Sequence, residues 1–100
     1  MDLEVVWTVP ALNDLESIVA FLAERDFDAS ERVRSEIVSK ARDLASLPFL
    51  GAAYGEVDGF EIREVLCRKF RIFYRHIAEP ARIEILRIWH HARREPRLPY

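Results

Sequence analysis

The sequence predicts an α+β fold in which a short strand and a helical hairpin precede a three-stranded antiparallel sheet. Two observations lead to this prediction. Apolar residues recur at helical spacing in the first half, whereas β-branched and aromatic residues alternate with charged ones at a period of two in residues 60–94. Two helices with one apolar side each need a surface to cover, and the sheet provides it. We therefore expect a single domain, residues 1–100, with both helices on one face of one sheet.

Residues 3–7 are the first predicted strand. They are apolar on both faces near the end of the strand, so we expect them to pair inside the sheet and not at an exposed edge. Their expected partner is a late strand, because the helical hairpin that follows offers none. Thr8 then caps the first helix, with Pro10 in its first turn, and the apolar stripe of this helix ends near Arg25.

The second predicted helix begins at Asp28. The side chain of Asp28 caps the helix, and Glu31 reaches back to complete a capping box. The apolar stripe continues to Leu44, and Pro48 ends the segment. Residues 46–59 contain all three glycines of the chain, so we predict a loop between the helical hairpin and the sheet.

The second half contains the three strands of the predicted meander, residues 60–67, 70–77 and 83–89. The register of the first two depends on Arg68 and Lys69. A two-residue turn there places Arg63 opposite Tyr74 and Arg71 on the other face, whereas one bulged residue brings Arg63 and Arg71 together. Arg-Lys is a poor two-residue turn, so the sequence leaves both registers open. After the last strand, prolines end regular structure, and we expect a mobile basic tail.

Charge is distributed unequally between the two halves. Residues 1–60 contain five Lys/Arg and twelve Asp/Glu, and residues 61–100 contain ten and five, so the halves carry net charges of −7 and +5. This asymmetry predicts an anionic or acidic partner for the second half. No apolar run is long enough to span a membrane, and the acidic N-terminus does not resemble a signal peptide. We expect a cytoplasmic protein without membrane contact.

Cysteine and histidine usage indicates no metal site. One cysteine and histidines at positions 76, 90 and 91 lack the spacing of a structural zinc site, and no acidic cluster indicates magnesium. We predict no metal and no cofactor. Cys67 lies in an apolar strand and is interpreted as a packing residue.

Arginines interleaved with aromatic residues along the strands are the main candidates for chemistry. Such a surface can hold phosphate by bidentate hydrogen bonds and a base by stacking. In an RNA-cleaving site, one of the two histidines that close the last strand, His90 or His91, would act as general acid or base while the neighbouring Arg93 and Arg94 stabilise the phosphate. The alternative is an ordinary sheet whose solvent-exposed face needs polar residues at alternate positions. Asp14 and Glu56 are weaker candidates for a base, since a solvated helix face or loop explains both.

Several short motifs follow one another in a characteristic order. A Trp-Thr pair precedes an Ala-x-x-Asp-Leu helix, an Arg-Glu strand and the segment Phe-Arg-Ile-Phe-Tyr-Arg follow, and the last strand ends in His-x-x-Arg at His90 and Arg93. Over residues 5–96 the chain resembles the RelE/ParE superfamily of bacterial toxins from type II toxin–antitoxin modules. The small α+β fold expected above is the fold that this resemblance implies.

The resemblance implies one of two activities. RelE-like toxins cut messenger RNA in the ribosome, whereas ParE-like toxins block DNA gyrase. The ending HHARREP is more similar to the ParE-type pattern His-Gly-Ala-Arg-Arg, with His91 in place of the glycine. We therefore expect a ParE-like toxin that inhibits gyrase. The alternatives are a ribosome-dependent mRNA endonuclease with Arg63, Arg71 and His90 as catalytic residues, and a non-toxic remnant that only binds a partner.

Both branches of the superfamily imply a cognate antitoxin as partner. An acidic, partly disordered antitoxin segment would complement the basic second half of the chain. The antitoxin is also the component expected to read operator DNA, so we expect no direct sequence-specific DNA binding by this chain. The candidate binding residues are Arg63, Arg71, Tyr74, His90, Arg93 and Arg94.

Overall fold

The computed structural model describes residues 2–96 and residue 98. Its elements are β1 (Glu4–Trp7), α1 (Val9–Ala23), α2 (Phe27–Asp43), β2 (Ala52–Val57), β3 (Phe60–Cys67), β4 (Phe70–Ala78) and β5 (Ala81–His90). The strands form one sheet in the order β1-β5-β4-β3-β2, in which β1 is parallel to β5 and the other pairs are antiparallel. The predicted α+β class and the antiparallel meander of the last three strands are confirmed.

Strand β1 lies at one edge of the sheet. It pairs with the late strand β5, as predicted, but the expectation that it lies inside the sheet is wrong. The apolar side chains that suggested an interior strand are partly buried without a second neighbouring strand, because Val5 and Trp7 pack against the core. Beyond the end of β1, the edge of β5 is bound by a side chain of α1. The carboxylate of Asp14 accepts a hydrogen bond from the backbone N–H of Ile88 at 3.0 Å.

The two helices begin with side-chain caps. Thr8 caps α1 as predicted, accepting a hydrogen bond from the N–H of Ala11. The cap of α2 is Asp26 and not Asp28, so the predicted start is two residues late. Asp26 has the extended backbone of a cap residue and accepts from the N–H of Ala29 at 3.0 Å. Asp28 lies in the first helical turn, where a carboxylate interacts favourably with the helix dipole.

Strand β2 was missed because it falls in the predicted loop of residues 46–59. Its sequence AAYGEV is rich in small residues and contains a glycine, so its strand propensity is weak. The turn that joins it to β3 consists of Asp58 and Gly59, whose φ angles of 53° and 82° are both positive. Asp-Gly is a favoured pair for such a hairpin turn, and this dipeptide was the available signal for the strand. Pairing with β3 is interrupted by a bulge at Tyr54.

The register of β3 and β4 follows the two-residue turn. Arg63 pairs with Tyr74 and Cys67 with Phe70, and Arg68 adopts a positive φ of 54° to close the turn. Glu79 and Pro80, joined by a cis peptide bond, form the turn between β4 and β5, so the predicted break at residues 78–82 is shorter than expected.

Side chains from the sheet form two apolar clusters, one on each face. The helix face, towards α1 and α2, carries the main core, which includes Leu15, Ile37, Ile72, Ile83 and Ile85. The open face carries a smaller cluster of Ile62, Phe73, Leu86 and Trp89. No helix in the described part of the chain is long and apolar enough to cross a membrane.

Candidate functional site

Arg63 and Tyr74 lie on the helix face beside the loop that joins α2 to β2. The hydroxyl of the fully buried Tyr74 donates to the carbonyl oxygen of Pro48 at 2.9 Å and accepts from the N–H of Gly51 at 2.9 Å. Arg63 Nη1 donates to the carbonyl oxygen of Gly51 at 2.6 Å, and its Nε pairs with Glu61. Both candidate binding residues therefore hold this loop in place.

Arg71 lies on the open face and is bound by two carboxylates. It donates to Glu64 through Nε and Nη2, both at 3.0 Å, and to Glu95 through Nη1 at 2.9 Å and Nη2 at 3.2 Å. The ring of Phe73 lies 4.8 Å from its guanidinium. The hydroxyl of Tyr54 also donates to Glu95. Hydrogen bonds from Arg71 and Tyr54 lower the pKa of Glu95, so its carboxylate is ionised at neutral pH.

His90 lies at the far end of the helix face, opposite Phe70. Its Nδ1 accepts a hydrogen bond from the N–H of Ala92 at 3.1 Å, which places the proton of the neutral ring on Nε2. Arg63 lies two strands across and four pairs along the sheet from His90, a separation of about 10 Å by about 13 Å. Arg71 points to the opposite face. The structure therefore does not bring Arg63, Arg71 and His90 together.

An apolar groove of about 720 Å³ lies next to His90, between the helical hairpin and the ends of β4 and β5. Its apolar lining residues are Ile18, Phe21, Leu22, Val33 and Phe70. Its ionisable lining residues are all basic: Arg68, Lys69, His90 and Arg93. Phe21 is 57% exposed and lies off the apolar stripe of α1. An aromatic residue outside the stripe was the sequence signal for a helix surface without a partner.

Arg93 and Arg94 follow β5 and contact Trp89. The Arg93 guanidinium lies 3.7 Å from the centre of the Trp89 ring, and Arg87 lies 4.8 Å from the same ring. The indole N–H of Trp89 donates to the carbonyl oxygen of Arg94. Among the described residues of the second half, the cations that pair with no carboxylate are Lys69, Arg93 and Arg94. The unpaired positive charge is thus concentrated at one end of the sheet.

The weaker sequence candidates have structural partners or lie apart from these residues. The carboxylate of Asp14 accepts hydrogen bonds from Nε and Nη2 of Arg87, at 2.7 and 2.9 Å. Glu56 is exposed on the edge strand β2. Burial, with a smaller contribution from Glu36, raises the pKa of the Cys67 thiol, which agrees with its interpretation as a packing residue. Across residues 2–96 and 98, no cluster of three His, Cys, Asp or Glu side chains is arranged to hold a metal ion.

The residues around Arg71 were missed by sequence reasoning. Glu64 and Glu95 alternate with basic residues in the sequence, and nothing in their spacing indicates that both bind one arginine. Tyr54 lies in the strand that was predicted as loop. The expected mobile tail also differs, because Glu95 pairs with Arg71, Pro96 is buried and Leu98 packs against the open-face cluster. The rest of the predicted tail lies outside the described residues.

Comparison with solved structures finds the same fold in three proteins. The chromosomal ParDE toxin–antitoxin system from P. aeruginosa matches with a TM-score of 0.72 at 24% identity, covering 88% of this chain and 95% of that one. The toxin–antitoxin complex RelBE2 from Mycobacterium tuberculosis matches with a TM-score of 0.64 at 22% identity, covering 90% and 99%. The YoeB/ParE toxin from Agrobacterium tumefaciens matches with a TM-score of 0.56 at 23% identity, covering 89% and 99%.

No curated protein matches this sequence. The model of one protein family does match, and it covers residues 5–95, nearly the whole chain. That family is described as the ParE toxin of the type II toxin–antitoxin system parDE. The match agrees with the order of motifs in the sequence and with the fold shared with the ParDE and RelBE structures, and the chain belongs to the ParE toxin family.

Proposed function

We propose that this chain is a toxin that stops growth by binding and blocking DNA gyrase in the cytoplasm, and that it does not cleave RNA. The observation that carries this proposal is the separation of the three nuclease candidates. Arg63 and Arg71 lie on opposite faces, and Arg71 is bound by two carboxylates. The alternative, a nuclease with these three residues as its catalytic groups, needs its basic groups around one phosphate. The arrangement supports a protein that acts through binding.

The proposed gyrase contact includes the cationic end of the sheet. Lys69 lies in the turn between β3 and β4, and Arg93 and Arg94 follow β5. Because no carboxylate in the described residues neutralises them, they are available for charge-assisted hydrogen bonds to a partner. Arg93 is additionally ordered by the ring of Trp89, which reduces the entropy lost on binding.

The proposed antitoxin docks in the groove next to His90, whose apolar lining residues are Ile18, Phe21, Leu22, Val33 and Phe70. An amphipathic segment would place its apolar side against Phe21 and Phe70 and its acidic side near Lys69 and Arg93. The chemistry of the groove supports this choice, since its walls are apolar and its ionisable residues are basic. The ParDE and RelBE2 structures are those of toxin–antitoxin systems, which supports an antitoxin as partner for this chain as well.

Induced expression of the chain, with DNA and protein synthesis followed separately by pulse labelling, tests the proposal. We expect DNA synthesis to fall first and cells to filament, and co-expression of the cognate antitoxin to prevent both effects. Immediate loss of translation with cut messages would contradict gyrase blocking and favour the endonuclease. Normal growth with abundant folded chain would indicate a non-toxic remnant that only binds a partner.

A further inference from the structure

The C-terminal segment, defined here as residues 91–96 with Leu98, crosses the open face of the sheet. It leaves β5 with the N–H of His91 bonded to the carbonyl oxygen of Lys69 at 2.8 Å. Further along, Trp89 donates to the carbonyl oxygen of Arg94, and Glu95 reaches Arg71 on β4 and Tyr54 on β2. The segment therefore contacts three of the five strands without belonging to the sheet.

Two kinds of chemistry hold this segment. Arg71 and Tyr54 offer hydrogen-bond donors to one carboxylate, that of Glu95. The apolar cluster of Ile62, Phe73, Leu86 and Trp89 lies alongside and receives Leu98. A charged clamp next to an apolar surface is the arrangement by which extended peptides are commonly bound, with the clamp giving orientation and the apolar contact giving affinity.

We propose that Arg71, Tyr54 and the open-face cluster form a peptide-binding site that the chain's own C-terminal segment occupies. The ligand that would replace it is an extended segment of a protein partner with a carboxylate and, three residues later, an aliphatic side chain. Glu95 and Leu98 have this spacing. The site is separate from the groove near His90, and the proposal does not depend on which growth process the toxin blocks.

An incoming carboxylate can replace Glu95 because Arg71 keeps another partner when Glu95 leaves. Glu64 binds Arg71 through two hydrogen bonds from the neighbouring strand and holds the guanidinium in position. The Glu95 side chain is 61% exposed, whereas that of Arg71 is 13% exposed. An ion pair with one exposed partner contributes little to stability, and displacing Glu95 leaves no buried charge unpaired. The site would therefore remain organised for an incoming carboxylate.

The surrounding charges favour a peptide over nucleic acid on this face. Glu64 and Glu84 both lie on the open face, and each is already paired with arginine. The arginines of this face are thus occupied by carboxylates and offer a phosphodiester chain few free donors, whereas a single carboxylate needs only the outer edge of the Arg71 fork. The unpaired cations of the second half, Lys69, Arg93 and Arg94 among the described residues, lie instead at the end of the sheet.

Binding of a synthetic peptide tests this inference. The probe is an acetylated peptide with the sequence of residues 94–100, REPRLPY, and its control is the same peptide with Glu95→Gln. Titration calorimetry would measure the binding of both peptides to the full chain and to the Glu95→Gln/Leu98→Ser chain, whose own segment is weakened. If the site is occupied by the chain's own segment about ten times more often than it is open, removing the segment raises the apparent affinity for the peptide about tenfold.

The expected result is that the doubly substituted chain binds REPRLPY about tenfold more tightly than the unsubstituted chain does. The Gln peptide should bind about threefold more weakly, because it lacks the charge that Arg71 recognises. Arg71→Lys in the same background should weaken the preference for Glu, because lysine keeps the charge but loses the fork of donors, and the matched control Arg75→Lys on the same face should retain it. Equal binding by the two chains, or equal binding of the two peptides, would overturn the proposal.

The single variant Glu95→Gln guards against a failure of the double variant to fold. It replaces an exposed side chain, and Arg71 keeps Glu64, so the fold should be unaffected. Its affinity for REPRLPY should lie between those of the unsubstituted and doubly substituted chains. A single variant that is folded and binds no more tightly than the unsubstituted chain would also overturn the proposal.

Discussion

Tyr74 shows how a residue that resembles part of a binding surface can serve the fold instead. Its hydroxyl closes the loop after α2 by bonding Pro48 and Gly51 within the core. Gly51 has no room for a side chain, because an added Cβ would lie 2.6 Å from the carbonyl oxygen of Glu64 and 2.8 Å from the Tyr74 ring. The loop, the tyrosine and the glycine therefore depend on one another.

Tyr74→Phe should destabilise the protein by about 1–2 kcal/mol, because it leaves the N–H of Gly51 and the carbonyl of Pro48 without this partner. Urea unfolding of the variant and the unsubstituted chain would measure the loss. Tyr54→Phe is the matched control, because its hydroxyl bonds an exposed carboxylate, and its effect should be clearly smaller. Equal effects of the two substitutions would show that the Tyr74 hydroxyl does not hold the loop.

Asp14 is a second residue whose role is visible only in three dimensions. Its carboxylate binds the edge of β5 beyond the end of β1, because it accepts hydrogen bonds from Arg87 and from the backbone N–H of Ile88. Asp14→Ala should lower the free energy of unfolding by about 2–3 kcal/mol, since both donors lose a charged partner in a partly buried site. Glu16→Ala, on the same helix, removes a pair that is largely exposed and should cost much less. A similar loss for both variants in chemical denaturation would contradict this role for Asp14.

The pH dependence of stability should include a contribution from Glu84. Burial alone would raise the pKa of Glu84, but hydrogen bonds from Arg75 and Arg82 lower it overall from its ordinary value of 4.5. The unfolded state then binds this proton more readily, so the stabilisation is complete above about pH 5 and is lost as the pH falls through the lowered pKa.

The Glu84→Gln variant tests this contribution when its unfolding is compared with that of the unsubstituted chain at several pH values. The difference in the free energy of unfolding should be constant near neutral pH and should shrink below about pH 4.5. Glu61→Gln provides a control on a more exposed pair of the same sheet. A difference that stays unchanged down to pH 3 would contradict the assignment.

At the scale of elements, the helical hairpin has both a buried and an unpartnered surface. Ala11, Leu15 and Val19 of α1 are buried against the sheet, while Phe21 stays largely exposed at the groove. Phe21→Asp should weaken antitoxin binding at least about tenfold, as expected for an aromatic residue at the centre of an interface. Phe27→Asp is the matched control, because Phe27 is 64% exposed and does not line the groove.

Titration of the purified antitoxin into each variant would measure these affinities, with thermal unfolding as a check on the fold. Both variants should melt close to the unsubstituted chain, since both replace exposed side chains. Equal affinity of the Phe21 and Phe27 variants for the antitoxin would place the antitoxin elsewhere on the molecule.

The elements differ in how well the sequence predicted them, and the physical reason differs in each case. Strong periodicity identified both helices and the three strands of the meander. Strand β2 lacks β-branched residues except Val57, and only its Asp-Gly turn indicated it. The register at Arg68 was undecided because Arg-Lys is unusual in a two-residue turn, and the structure uses a positive φ at Arg68 to form it.

Pairing between residues distant in sequence was largely beyond prediction. Arg71 binds Glu64 and Glu95, and Arg87 binds Asp14 across a sequence separation of 73 residues. Alternation along a strand shows that an arginine is on a given face, but it does not show which carboxylate the fold brings to it. The candidate arginines were therefore found, while their roles required the structure.

At the scale of the whole molecule, the charge asymmetry of the sequence is largely compensated inside the fold. The paired arginines of the second half are Arg63, Arg68, Arg71, Arg75, Arg82 and Arg87. Two of them reach acids of the first half, Arg68 at Glu36 and Arg87 at Asp14. The expected basic sheet is thus mostly neutralised among the described residues, and unpaired charge remains at the end that carries Lys69, Arg93 and Arg94.

A supercoiling assay with purified components tests most directly our proposal that this chain blocks gyrase by binding. Relaxed plasmid, gyrase and ATP would be incubated with increasing amounts of the chain, alone or previously bound to its antitoxin. We predict that the free chain stops supercoiling and that the antitoxin complex does not. Full supercoiling in the presence of excess, correctly folded free chain would contradict the account.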